Sequence, residues 1–248
     1  MNRTHPLSRI WRQWLPAGLL ACLLSTQVCL ADSDVQPTFA GGIGVERMPA
    51  WPGAKTARNQ PVPYVDIEIP GHLSLSTMDG LQLDLIGGPV LHGGVYGDYQ
   101  WGRDGDDLGA LRSKINTLSP RLTLGGYLEW QLSKQMDAGV DLSHDTQGAG
   151  AYLKLYAEWD LPAVGLLHHS LQLSWQAMNH AAMNRFFGVT TEQADALGVR
   201  AWQPGAGSQL ATLEYDLFMP TSPHTGFALA LAYGQLLGAA GDSPLVTR

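Results

Sequence analysis

The sequence predicts an all-β protein, an antiparallel transmembrane β-barrel, and three observations lead there. Apolar and polar residues alternate with period two over runs of about ten to twelve residues, the length a tilted strand needs to cross a bilayer. The chain carries 29 Gly, 8 Trp and 8 Tyr with only 15% charged residues, a mixture suited to strands with aromatic belts. Its N-terminus has the three-part pattern of an export leader.

Arg3, Arg9 and Arg12 make a positive opening, and no acidic residue precedes Asp32. A mostly apolar run over 15–24 follows, interrupted by Pro16 and Gly18 and too short to span a bilayer as a helix. Ser25, Thr26 and Gln27 lead to small residues at Cys29 and Ala31, which fit a cleavage site. We therefore expect a cleaved signal peptide over 1–31 and a single mature domain over 32–248. The stretch Leu19-Leu20-Ala21-Cys22 resembles a lipobox, but Arg12 close upstream and the apolar residues beyond Cys22 favour cleavage after Ala31.

Cleavage removes both cysteines, Cys22 and Cys29, so disulfide and thiolate chemistry are excluded from the mature chain. Loss of Arg3, Arg9 and Arg12, three positive charges, takes the net charge from −7 to −10. An acidic chain without a basic run does not suit nucleic acid. No later apolar stretch approaches the length of a transmembrane helix.

The alternation is clearest from Arg121, where Leu122, Leu124, Gly126, Leu128, Trp130 and Leu132 oppose Thr123, Gly125, Tyr127, Glu129 and Gln131. From Gly150, Ala151, Leu153, Leu155, Ala157 and Trp159 oppose Tyr152, Lys154, Tyr156, Glu158 and Asp160. Val65, Ile67 and Ile69 oppose Asp66 and Glu68; Leu81, Leu83 and Leu85 oppose Gln82 and Asp84; Leu171, Leu173 and Trp175 oppose Gln172, Ser174 and Gln176. Phe227, Leu229, Leu231 and Tyr233 face small residues, and the strand holding Glu214 and Asp216 breaks step near Ala211. Helical spacing of three and four is absent from these segments.

A soluble barrel hides its apolar face and a membrane barrel turns it to lipid. The charge-free apolar rows, and Trp130, Trp159 and Trp175 near strand ends, favour lipid over a periplasmic lipocalin-like barrel. Strands are expected at about 38–47, 61–69, 71–77, 81–87, 89–101, 121–132, 135–143, 149–161, 165–178, 207–218 and 225–236. With the N-terminus in the periplasm, the long connections 48–60, 102–120 and 179–206 all fall outside the cell and the periplasmic turns are mostly short. Eleven strands is an odd number, whereas single-chain bacterial barrels use an even one, so a closing strand is missing from this count.

Candidate chemistry is sparse. Asp104, Asp106 and Asp107 offer hard oxygen ligands, but they lack calcium-loop spacing and read better as a solvated acidic loop pairing with Arg103 or Arg112. His168 and His169 point to opposite strand faces and do not share a metal, and the remaining histidines are scattered. Ser143-His144-Asp145 holds the residue types of a triad, but contiguity on alternating faces argues against one, and a turn is the expectation there. Glu129, Lys154, Glu158, Asp160, Glu214 and Asp216 line a lumen, as a plugging network in preference to a selective channel; an open lumen would favour cations. A short helix is expected over 190–197, capped by Thr191. No catalytic, cofactor-binding or metal-binding residue is assigned, and neither an enzyme nor a cofactor is expected.

Several motifs together resemble the MipA/OmpV family of outer-membrane proteins, the MltA-interacting proteins. Gly42-Ile43-Gly44-Val45 and Pro49-Ala50-Trp51-Pro52-Gly53-Ala54 are similar to its first strand and P-x-Y-x-G-S turn, with Trp51 for Tyr and Ala54 for Ser. Pro61-Val62-Pro63-Tyr64-Val65-Asp66 resembles its second strand, and 101–107 its G-R-D-E-D-D loop. Asn184-Arg185-Phe186-Phe187-Gly188-Val189-Thr190 with Gln193, Ala194 and Gly198 is similar to its long-loop signature, and Gly205-Ala206-Gly207 and 241–246 complete the series. The resemblance implies about twelve strands, the last of them, which ends in an aromatic residue, lacking here after Arg248. It implies a non-enzymatic scaffold in outer-membrane lipid that links a murein lytic transglycosylase to a murein synthase. A small-solute or drug-permeation pore and a loop-mediated surface adhesin are the alternatives.

Overall fold

Period-two alternation becomes a wall once each strand pairs with the next. The computed structural model describes residues 19–25, 37–77, 80–222 and 224–246. Eleven strands follow one another as an antiparallel meander: β2 (Thr38–Pro49), β3 (Ala57–Ile69), β4 (Leu73–Ser76), β5 (Gly80–Gly87), β6 (Leu91–Gln100), β7 (Arg121–Gln131), β8 (Met136–Asp145), β9 (Ala151–Val164), β10 (Leu167–Met178), β11 (Gly207–Ser222) and β12 (Thr225–Leu236). The place between β12 and β2 is taken by β1 (Leu19–Ser25), antiparallel to both, with Leu23 opposite Phe227 and Ile43, and the sheet closes into a barrel. The positive opening and the cleavage site expected at 29–31 lie outside the described residues.

All eleven strands expected from the alternation are present, and the long connections gather at one end of the barrel. Strand boundaries shift by up to four residues, and three of the shifts have a visible structural cause. β3 starts at Ala57 because its polar inner row continues upward, with Gln60 Nε2 donating to Glu46 Oε2 at 2.7 Å. The first loop is correspondingly short. β11 runs on to Ser222. Ser143, His144 and Asp145 belong to β8 and not to a turn, since Ser143 pairs with Tyr152 and His144 with Ala151.

The barrel is inverted relative to a soluble protein. Leu124 is 62% and Leu173 59% exposed on the outer wall, whereas Gln172 is 4% and Asp216 6% exposed within. Ile43, Val45, Leu142, Leu213 and Phe227 continue the outer apolar surface, and Trp130 and Trp159 stand exposed towards the short-turn end of β7 and β9. Gly139 shows how tightly the interior is filled. A Cβ there would lie 2.1 Å from Tyr156 Oη, so only glycine lets the Tyr156 ring cross β8 to reach Glu129 on β7.

Leu173 sits near the middle of β10 with its side chain outward. Leu173→Arg is expected to cost about 2–4 kcal/mol, as a cation facing mid-bilayer hydrocarbon does. Urea unfolding from phospholipid vesicles measures it, and an unchanged midpoint would contradict the outward assignment.

Candidate functional site

The alternate residues of each strand point inward and make a polar lumen. Its wall is rich in carboxylates: Glu46, Glu129, Asp141, Asp145, Glu158, Glu214 and Asp216 are all buried. Burying a carboxylate is costly unless it is hydrogen-bonded, and here the donors are largely uncharged. Tyr156 Oη donates to Glu129 Oε2 at 2.9 Å, Tyr127 Oη to Asp84, and Tyr64 Oη to Asp66 Oδ2 at 3.3 Å. Gln172 Nε2 approaches Glu158 Oε2 at 3.5 Å. Positive charge enters through Arg121, whose Nη1 lies 2.7 Å from Asp145 Oδ2, and through Lys154, whose Nζ lies 5.4 Å from the centre of the Tyr156 ring.

Over the long-loop end lies a folded cap. The β6–β7 connection forms α1 (Gly105–Leu108) and a following 3₁₀ turn; the β10–β11 connection forms α2 (His180–Phe187) and α3 (Thr191–Leu197); the segment after β12 forms α4 (Gly238–Gly241). Trp51, Leu108, Ile115, Val189, Ala194 and Leu245 pack as one apolar cluster beneath them, and Met178, Met183, Phe187 and Ala240 as another against Tyr152. Each main helix start is satisfied locally. Asp104 accepts from the amides of Asp106 and Asp107, Asn179 from that of Ala182, and Thr190 from that of Gln193, which returns its own side chain to the Thr190 amide.

Polar links fasten this cap to the barrel. Arg185 on α2 donates to Gln100 Oε1 at 2.8 Å and to the Ser119 carbonyl. Arg58 on β3 lies 3.0 Å from Asp107 Oδ1, and within the cap Ser243 Oγ donates to the Phe187 carbonyl at 2.7 Å. Burial pulls the Arg103 guanidinium down to about 10, opposed by Asp107, so it stays charged at neutral pH. Burial also lowers Arg185, with Arg121 nearby adding to the effect. The amides of Asp107 and Asp106 hold the Asp104 carboxyl below the usual carboxylate range.

The structure sorts the candidates read from the sequence. Glu129, Lys154, Glu158, Asp160, Glu214 and Asp216 face the lumen, as expected. Asp104, Asp106 and Asp107 form a helix start: Asp107 pairs with Arg58, and Arg112 reaches Asp106 at 3.9 Å on the surface. His168 and His169 point apart, with His169 Nδ1 at 2.8 Å from Tyr215 Oη on the outer wall. Ser143 and Asp145 are buried inside while His144 turns outward. The helix over 191–197 is present, but its cap is Thr190 and not Thr191, because the side chain must accept from an amide three residues on. Sequence reasoning missed α2, although Met183 and Phe187 stand one turn apart after Asn179, and it missed the tyrosines as partners of the carboxylates.

Hollows lie at both ends of the lumen. Below the cap a cavity of about 20 Å3 remains, bordered by Tyr96, Asp98, Gln176 and Gln209 among others. At the opposite end a hollow of about 400 Å3 is lined by Lys134, Asp160, His168, Ser170, Asp216 and Phe218.

A closed antiparallel sheet with apolar residues outward, charged residues inward and long loops at one end defines an outer-membrane β-barrel protein. The family model described as MltA-interacting protein MipA matches residues 41–248, and the chain belongs to that family. A search of curated proteins returns no match. Among solved structures the chain is similar to the outer membrane protein OprD from Pseudomonas aeruginosa, with 11% identity over 90% of this chain and 59% of that one and a TM-score of 0.31. Acinetobacter baumannii OccAB1 is similar at 10% identity over 89% and 64% of the two chains, with a TM-score of 0.31. A bacterial polysaccharide outer membrane secretin matches at 9% identity over 91% and 100%, with a TM-score of 0.34. The chain thus spans about six tenths of the first two, at 59% and 64%.

Two outcomes test the cap. Arg185→Ala is expected to leave the strands intact and loosen the cap by about 1–2 kcal/mol, the scale of a partly exposed charged hydrogen bond; hydrogen exchange over 101–120 and 180–206 measures it. The lowered Asp104 carboxyl contributes stability that is present above the ordinary carboxylate range and is lost as pH falls through its own lowered value. Exchange over 105–111 is therefore expected to rise on acidification below about pH 4, and Asp104→Asn should blunt that rise.

Proposed function

We propose that this protein is a non-enzymatic, non-conducting barrel that anchors murein-remodelling enzymes, a lytic transglycosylase and a murein synthase, at the inner surface of the outer membrane. The observation that carries this reading is closure. The lumen is packed with hydrogen-bonded side chains and its loop end is covered by a folded cap, an arrangement that suits an anchor better than a passage. The family's description as an MltA-interacting protein supports the choice of partner. In the orientation with long loops outside, the hollow between Lys134, Asp160 and Phe218 opens on the periplasmic side, where such enzymes work. Export on a leader cleaved after Ala31 is part of the same reading; cleavage removes Leu19–Ser25 and leaves the place between β2 and β12 for another strand to fill.

Pull-down from solubilised envelopes with the tagged full chain is expected to recover a murein lytic transglycosylase or synthase, and repeated failure would count against the scaffold. Planar bilayers holding the refolded full chain should stay electrically quiet; stable open steps would favour a solute pore. N-terminal sequencing of protein extracted from outer membranes is expected to start at Asp32, and retention of 19–25 would overturn the leader.

A further inference from the structure

β11 carries one residue more than its neighbour at a single point. Gln176 on β10 faces Leu210, and the next residue, Ala177, faces Ser208, which leaves Gln209 without an opposite. Such a bulge re-aims a side chain. Here it buries Gln209 and Leu210 in succession, and it accounts for the broken alternation near Ala211. Gln209 is 0% exposed, and among the described residues neither its Nε2 nor its Oε1 has a hydrogen-bond partner; the Oε1 of Gln176, on the adjoining strand, has none either. Both glutamines border the cavity of about 20 Å3 below the cap.

We propose that this cavity is a built site for one ordered water, which accepts from the Gln209 amide and donates to Gln176 Oε1, sealing the lumen beneath the cap. Three observations carry it. A buried amide left unbonded costs about 1–3 kcal/mol, and buried polar atoms in folded proteins are overwhelmingly partnered, so three such atoms around one space call for a common partner. The space exceeds the roughly 10–15 Å3 that a water requires. The chemistry of the wall selects water over an ion. Gln209 presents an N–H donor beside acceptors, and a bare cation would leave that donor stranded, while Lys154 already brings positive charge to the same wall. If the Gln209 amide is turned over, its oxygen takes the nitrogen's place and the water donates to both glutamines.

The water would tie β10 to β11 at the level where the strand hydrogen bonding is interrupted. Without it the bulge would be a weak point directly under α2 and α4. Gln209→Met tests the site by the sign of its effect. Removing an unpartnered amide raises stability, whereas removing a satisfied one lowers it. In the full chain refolded in detergent, the melting temperature of Gln209→Met is expected to fall by about 2–4 °C, and a rise would overturn the proposal. Should that variant fail to fold, a crystal structure of the unaltered chain decides. A density peak within hydrogen-bonding distance of both Gln209 and Gln176 supports the site. An empty cavity, a Gln209 bonded to protein, or a peak that acquires anomalous signal when rubidium replaces sodium overturns it.

Discussion

A bilayer interior offers a backbone nothing to hydrogen-bond with, so each strand amide there must find its partner in a neighbouring strand. Most of this protein's architecture follows from that constraint. An antiparallel sheet satisfies the condition only when it has no edge, and eleven strands from Thr38 to Leu236 leave β2 and β12 parallel to each other with one place between them, which Leu19–Ser25 occupies in the uncleaved chain. Closure then assigns the side chains. One face of every strand meets hydrocarbon and carries Leu, Val, Ile, Phe and Trp; the other faces its counterparts across a narrow lumen.

A lumen of this kind inherits an electrostatic problem. Its wall holds many more carboxylates than cations, and low-dielectric surroundings make unpaired charge expensive. The solution here is to surround carboxylates with neutral donors. Tyr127 and Tyr156 each reach across an intervening strand, and Tyr64 along its own, to end on a carboxylate, supplying bulk to fill space and a hydroxyl to satisfy charge. Arg121 and Arg185 finish the job near the loop end, where Gln100, Tyr152 and Asp145 meet them. The cap rests on this polar layer through Arg185 and is held together from within by two apolar clusters, so lumen packing and cap folding reinforce each other.

The strands were legible because alternation is a direct imprint of a two-sided wall. Trp130 and Trp159 marked the outer face, and Glu158 and Asp216 the inner one. Where legibility failed, the cause was local geometry or contact across the chain. The break at Ala211 is the trace of a bulge at Gln209, a feature that depends on the register of β10 and not on β11 alone. Glu46 and Gln60 extend β2 and β3 through a pairing no single-strand pattern contains. Asp104, Asp106 and Asp107 look like a ligand cluster until their amides are placed, and then they are a helix start fastened to Arg58. Tyrosines in an alternating strand read as belt residues as readily as lumen ones; only the cross-strand partner tells them apart.

Depth-resolved fluorescence quenching tests the inverted barrel most directly. Two single-tryptophan versions of the full chain, one keeping Trp159 on the outer wall and one keeping Trp51 in the cap cluster, are reconstituted in vesicles of lipids brominated at defined acyl positions. Strong quenching of Trp159, steepest for bromine near the headgroups, with little effect on Trp51, is the predicted result. A Trp159 emission untouched by bromine at any depth, from a chain that stays monomeric without detergent, would contradict it.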